Sequence, residues 1–239
     1  MIIELLLGVL SFFTSFIAGV IGFGGGMLLI AVLPIFLAPN VVIPIHGITQ
    51  IASNSSRVVF SFSHVKWSLL PKFLIGSVIG TLLFGFLLFN VPADYVPVAI
   101  GLYIILNLWV SKFSMFVSKF ESYYLIGLVQ TGLGLIVGAT GPLSLSVLAK
   151  EMKSKDQIIA TSSMFMTISH LAKVPVYLAI TPFLKGSILL ITSMVVGSIA
   201  GSFFATKLRL KANDEKLILA IKVLLSTLAI KMLLSAVWQ

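Results

Sequence analysis

From Ile2 to Ala38 the chain carries one charged side chain, Glu4, and near the middle of that run it reads Gly22-Phe23-Gly24-Gly25-Gly26. The run exceeds the roughly 20 apolar residues that a helix needs to cross about 30 Å of hydrocarbon. Glycine costs about 1 kcal/mol relative to Ala inside a helix, so a cluster of them will not hold a regular turn. The pattern predicts a membrane helix broken near its middle, followed by a turn at Pro39-Asn40. The basic start and small-residue cleavage site of a secretory signal peptide are missing from it.

Composition extends this reading to the whole chain. Of 239 residues 59% are hydrophobic and only 10% charged, with a mean hydropathy of +1.15. A soluble domain carries about a quarter charged residues, so a soluble enzyme, a nucleic-acid binder and a disordered chain are excluded. What remains is an all-α membrane protein. Further apolar segments run over Val41–Phe62, Leu69–Phe89, Tyr95–Trp109, Tyr123–Leu148, Gln157–Ala179, Ser187–Thr206 and Leu217–Val237, which predicts about eight transmembrane helices. The net charge of +9 reads as loop Lys and Arg that set topology and touch lipid phosphates. No cysteine is present, which removes disulfides, thiolate metal sites and thiol redox chemistry.

The chain repeats itself. A shift of 116 positions places Gly22 on Gly138, Gly25 on Gly141, Asn40 on Asp156, Ser53 on Ser169 and Arg57 on Lys173. A shift of 121 then places Gly76-Ser77 and Gly80 on Gly197-Ser198 and Gly201. Two repeats are expected, 1–116 and 117–239, each of four spans and each opening with a helix broken at glycine. Four is an even number, so parallel repeats about an axis along the membrane normal are expected. The small-x-x-x-small pairs Gly76/Gly80 and Gly197/Gly201 read as close helix packing. On eight spans the loop cations divide five to seven between the faces, a slight bias toward both termini outside.

Two cations stand well inside spans, Arg57 and Lys173, with no acidic residue in any span interior to match them. Such a group is expensive in a bilayer unless it is paired or faces water. Their recurrence at equivalent positions points to a substrate anion as the counter-charge, against the alternative that both snorkel to the lipid phosphates. A helix that restarts after a break offers free N–H groups and a positive dipole end to an anion. Gly24, Gly25 and Gly26 in the first half, and Thr140 and Gly141 in the second, would supply those ends. Asn54 and His170, one turn before the cations, together with Gln50 and His46, are candidate hydrogen-bond donors to substrate oxygens. The alternative for the histidines is an interhelical hydrogen bond. No metal-ligand cluster and no catalytic constellation is visible, so neither an enzyme nor a cofactor is expected.

The segment Ala18-Gly-Val-Ile-Gly-Phe-Gly-Gly-Gly-Met27, followed by the polar run His46 to Arg57, resembles the sulfite exporter TauE/SafE family over nearly the whole chain. The resemblance implies a transporter of small sulfur-containing anions (sulfite, thiosulfate or an organosulfonate) in the bacterial inner membrane, with export as the direction. The second copy departs from the pattern, with two glycines where the first has four and Lys173 in place of an arginine. The expected function is a secondary transporter of a small oxyanion. An anion channel with the same lining, or a permease for another small organic anion, is the alternative. The partners expected are the anion, the lipid bilayer, a coupling proton or sodium ion, and a second copy in a homodimer; nucleic acid is not expected.

Overall fold

The computed structural model describes residues 2–22, 24–90, 92–110, 112, 122–180, 186–208 and 214–237. These form α1 (Ile2–Ile21), α2 (Gly25–Val32), α3 (Pro39–Phe60), α4 (Leu70–Leu88) and α5 (Val96–Trp109). There follow α6 (Tyr123–Val137), α7 (Gly141–Glu151), α8 (Lys155–Ile180), α9 (Ile188–Leu208) and α10 (Asp214–Val237), with no strand among the described residues. Proline sits in the first turn of α3, α4, α5 and α7, where its missing N–H costs nothing. Four stretches are long and apolar enough to cross a bilayer by themselves: α1, Trp67–Leu88, α8 and α9. Large apolar side chains such as Leu82, Phe86 and Ile188 are mostly exposed, while buried Ser, Thr, Asn, Gln and His lie among the aliphatic residues of the interior. That apolar exterior fits a bundle whose solvent is lipid.

Glycine sets the tightest helix pairs. On α9, a Cβ at Gly197 would lie 2.1 Å from the Gly8 carbonyl oxygen, and one at Gly201 2.1 Å from that of Phe12. On α4, a Cβ at Gly76 would lie 1.9 Å from the Tyr124 carbonyl oxygen, and one at Gly80 2.3 Å from that of Leu128. These two seams, α1 on α9 and α6 on α4, are the same seam under the sequence shifts, because Gly8 and Phe12 fall on Tyr124 and Leu128. Only small residues let backbones come this close, which is the packing expected of both glycine pairs.

The contacts also fix the direction of each helix. Gly8, Phe12 and Gly19 meet Ser193, Gly201 and Ala205 in ascending order, so α1 runs parallel to α9. Thr49 and Ser53 bond Ser198 and Ser202, so α3 runs parallel to α9 as well, and therefore to α1. Two successive parallel helices require a return stroke between them. That stroke begins at the first glycine break, where the chain doubles back and Gly25 packs on the Thr14 carbonyl of α1. α2 then continues toward the face from which α1 started. In the second half, Gln130, Thr131 and Leu135 of α6 meet Met166, Ser169 and Tyr177 of α8, again parallel, with α7 as the return.

The glycine break reverses the chain instead of kinking it, so among the described residues ten helices stand where eight straight spans were expected. Equivalent helices α3 and α8 run antiparallel, with His46 beside His170, Gly47 beside Lys173, and Val58 packed with Ala160. The expected boundary at 116/117 lies outside the described residues.

Candidate functional site

α3 and α8 cross at the centre of the bundle and supply its polar lining. On α3, Gln50, Asn54 and Arg57 recur at helical spacing and share one face. All three are buried, Arg57 with 4% of its surface exposed, so it does not snorkel. They border a cavity of about 40 Å³, room for a few waters or one small oxyanion. Gly22, Gly24, Gly26 and Met27 of the first break close one side, and Ala139, Gly141 and Pro142 of the second close another. Ala18 of α1 and Ser162, Ser163 and Met166 of α8 complete the wall.

Arg57 is oriented by its own helix. Its Nε donates to Ser53 O at 3.2 Å, and Nη2 donates to Ser53 Oγ at 3.3 Å and Asn54 Oδ1 at 2.7 Å. Nη1 reaches the Ala18 carbonyl near the end of α1, at 3.4 Å. Asn54 donates in turn to Gln50 O at 2.7 Å. Gln50 stands against Gly26, where a Cβ would come within 3.1 Å of its Oε1.

The two restarted helices differ as anion sites. Gly24 precedes α2 with φ +87° and Gly22 has φ +98°, a region that a side chain would strain. No side chain caps the first turn of α2, which presents its positive end to the cavity beside Arg57. At α7 the first turn is occupied: Gln130 Oε1 accepts the Ser144 N–H at 3.0 Å, and Pro142 has no N–H to offer. The first break is thus the stronger electrostatic partner for an anion.

Lys173, His170 and His46 form a separate cluster. Lys173 Nζ donates to the Gly138 carbonyl and lies 3.0 Å from His170 Nδ1. His46 Nε2 lies 2.9 Å from Gly26 O, and the two imidazole centroids are 5.5 Å apart. All three residues are buried, and none lines the cavity. Lys173 stands level with Gly47, and Arg57 lies ten residues further along α3, about 15 Å at 1.5 Å per residue. Arg57 borders the cavity and Lys173 does not.

Of the other expected residues, Gly24, Gly26 and Gly141 line the cavity, whereas Gly25 and Thr140 stand behind it. Gly25 is packed on Thr14, and Thr140 Oγ1 donates to Gln130 O at 2.8 Å. Ser162, Ser163, Met166 and Gln130 were not singled out from the sequence. The repeat held the signal for the first three, since they are the equivalents of His46, Gly47 and Gln50. Among the described residues no cluster of His, Asp and Glu could hold a metal ion.

No curated protein and no solved structure matches the chain. A model of the family described as sulfite exporter TauE/SafE matches residues 7–232 of the 239. This family comprises membrane transporters of sulfur anions such as sulfite. With its apolar exterior, polar centre and near-complete match, the chain is a multi-pass membrane protein that belongs to the TauE/SafE sulfite exporter family.

Proposed function

We propose that this chain is a secondary transporter that binds one small sulfur oxyanion, sulfite, thiosulfate or an organosulfonate, in the cavity beside Arg57. The observation that carries the reading is the joint placement of a buried guanidinium and an uncapped helix N-terminus on one small polar cavity. Arg57 supplies the counter-charge and a planar fork for two oxygens. Asn54 and Gln50 offer amide groups, Ser162 and Ser163 hydroxyls, and α2 the positive end of its dipole.

The halves are read as inverted repeats related by an axis in the membrane plane. The recurrence of the α1–α9 seam as α6–α4 and the antiparallel α3–α8 pair support this. Inverted repeats about a central site suit transport by rocking one half against the other. Orientation follows from the same directions. Lys66, Lys72, Lys112, Lys150, Lys153, Lys155 and Lys207 fall in or beside connections at the face where α1 ends, and among the described residues no connection at the opposite face carries a Lys or Arg. Cytoplasmic loops carry the excess of Lys and Arg, so that lysine-rich face is the cytoplasmic side of a bacterial inner membrane. Arg57 then belongs to the cytoplasmic half, which suits export.

The test is flux of thiosulfate, sulfite, a sulfonate and phosphate into proteoliposomes, for the wild type and Arg57→Gln. Saturable movement of sulfur anions, lost in the variant, is expected. Equal flux in both would leave Arg57 without a role in transport.

A further inference from the structure

The cluster of His46, His170 and Lys173 occupies the place that the cavity occupies in the other half. The cavity is walled by Gln50, Asn54 and Arg57 of α3 facing Ser162, Ser163 and Met166 of α8. Exchanging the halves by the shift of 116 turns that wall into Met166, His170 and Lys173 of α8 facing His46, Gly47 and Gln50 of α3. Those are the residues of the closed cluster and their neighbours.

The correspondence extends to contacts. Arg57 Nη2 donates to Asn54 Oδ1, one turn back on α3; Lys173 Nζ lies 3.0 Å from His170 Nδ1, one turn back on α8. Arg57 reaches the carbonyl of Ala18 ahead of the first break. Lys173 packs on Gly134, the equivalent of Ala18, and donates to the carbonyl of Gly138 at the second break. One arrangement borders an open space and the other is filled by imidazole rings.

Two atoms of the filled arrangement lack partners: His46 Nδ1 and His170 Nε2 are buried without a hydrogen bond. The Gly26 carbonyl can only accept, so His46 carries its proton on Nε2 and keeps a bare lone pair on Nδ1. Lys173 Nζ lies 3.0 Å from His170 Nδ1, and with Lys173 as an ammonium, which can only donate, the His170 proton sits on Nε2. Lys173 and His170 thus hold a positive charge and an unused N–H donor side by side, a set suited to an oxyanion. Buried polar groups normally have partners, and an orphan calls for an explanation.

We propose that His170 and Lys173 form a second oxyanion half-site, closed in this conformation by His46, that opens to the opposite face and receives the anion from Arg57 when the halves exchange conformations. The inference rests on the anion-transport reading above. It explains why the two cations are equivalent in sequence while Arg57 borders the cavity and Lys173 does not. The transporter would hold the anion at one cation at a time.

The chain has no cysteine, so single cysteines at the equivalent positions Gly47 and Ser163 report on each half-site separately. A Cβ at Gly47 meets Lys173 Cδ at 3.7 Å, an ordinary contact, so Gly47→Cys is accommodated. Each variant in proteoliposomes is exposed from either face to a membrane-impermeant thiol reagent, with and without 2-hydroxyethanesulfonate, which does not consume the reagent. Ser163→Cys is expected to react from the lysine-rich face only and Gly47→Cys from the opposite face only, with the anion shifting the two rates in opposite senses. A Gly47→Cys that never reacts from the opposite face, or that reacts from the same face as Ser163→Cys, overturns the proposal. Lys173→Gln is expected to bind thiosulfate within about threefold of wild type by calorimetry and to lose transport, which Lys173→Arg restores. Transport by Lys173→Gln at the wild-type rate overturns it too. A wild type that binds no anion would instead sink the reading of the Arg57 cavity, while the two labelling patterns would still decide whether a second half-site opens.

Discussion

Arg57 donates to Asn54 Oδ1 across 2.7 Å, and the same Asn54 amide is held from its other end by the Gln50 carbonyl. Donating through Nδ2 fixes which end of the amide faces the guanidinium. The bond therefore orients Arg57 without neutralising it. Asn54→Asp keeps the shape and adds a carboxylate at hydrogen-bond distance from the cation. Thiosulfate binding by this variant is expected to fall at least tenfold, about 1.4 kcal/mol, with a smaller loss in Asn54→Ala. Calorimetry on the purified variants checks both, and wild-type affinity in Asn54→Asp would show that the charge of Arg57 is not used.

The direction of the helices places the connections that hold Ser63 and Ser154 on one face, and Asn90 on the other. An eight-span arrangement would put Ser63 and Ser154 on opposite faces. All three residues are exposed, and the absence of native cysteine makes each a clean reporter. In intact cells an impermeant maleimide is expected to label Asn90→Cys alone, and in inverted vesicles Ser63→Cys and Ser154→Cys. Labelling of Ser63→Cys and Ser154→Cys from different sides would restore the eight-span arrangement.

The two glycine seams should fail alike. A methyl at Gly76 or Gly197 meets a backbone carbonyl oxygen at 1.9 or 2.1 Å, which no rotamer change relieves. Forcing extra bulk into such a contact costs about 1–3 kcal/mol. Gly76→Ala and Gly197→Ala are each expected to lower the thermal midpoint in detergent by several degrees. Gly85→Ala, whose methyl would meet only Val176 at 3.7 Å, is expected to leave it unchanged. A midpoint unmoved in Gly76→Ala would mean that α4 and α6 are not in contact there.

Gln130 joins the second break to its surroundings. Its Oε1 accepts the Ser144 N–H, its Nε2 lies 3.3 Å from Ser169 Oγ, and its own carbonyl accepts from Thr140. Gln130→Ala leaves a buried N–H and a buried hydroxyl without that side chain, a loss of about 1–3 kcal/mol. The expected outcome is a less stable protein whose thiosulfate affinity is little changed, because Gln130 does not line the cavity. A large loss of affinity at unchanged stability would instead make Gln130 part of the binding site.

The helices, the glycine breaks and the shared polar face of Arg57, Asn54 and Gln50 are legible in the sequence, because hydropathy, glycine content and helical spacing are local properties. The reversal at Gly22–Gly25 is not. Residues 25–35 are equally apolar whichever way the helix heads, and the contact that fixes its heading, Gly25 on Thr14, is tertiary. The equivalence of Lys173 and Arg57 in sequence does not tell which of them borders the cavity. In halves that run oppositely, equivalent residues off the axis lie on opposite sides of it. Ser162 and Ser163 escaped for the converse reason: they face Arg57 but correspond to His46 and Gly47, with which they share no chemistry.

On the inverted-repeat reading proposed above, each half begins on one face and ends on the other, and this bears on how the gene arose. A tandem copy of a segment that begins on one face and ends on the other must insert upside down. Its ancestor therefore had to be tolerated in both orientations, and charge had to settle afterward. The connections retain that history. In the first half Lys66 lies between α3 and α4 and Lys72 in the first turn of α4, whereas the sequence joining α8 to α9 has Lys185 alone. In the second half Lys150, Lys153 and Lys155 lie around the junction of α7 and α8, whose counterpart between α2 and α3 has no cation. Corresponding connections therefore differ in charge between the two halves, two cations against one and three against none.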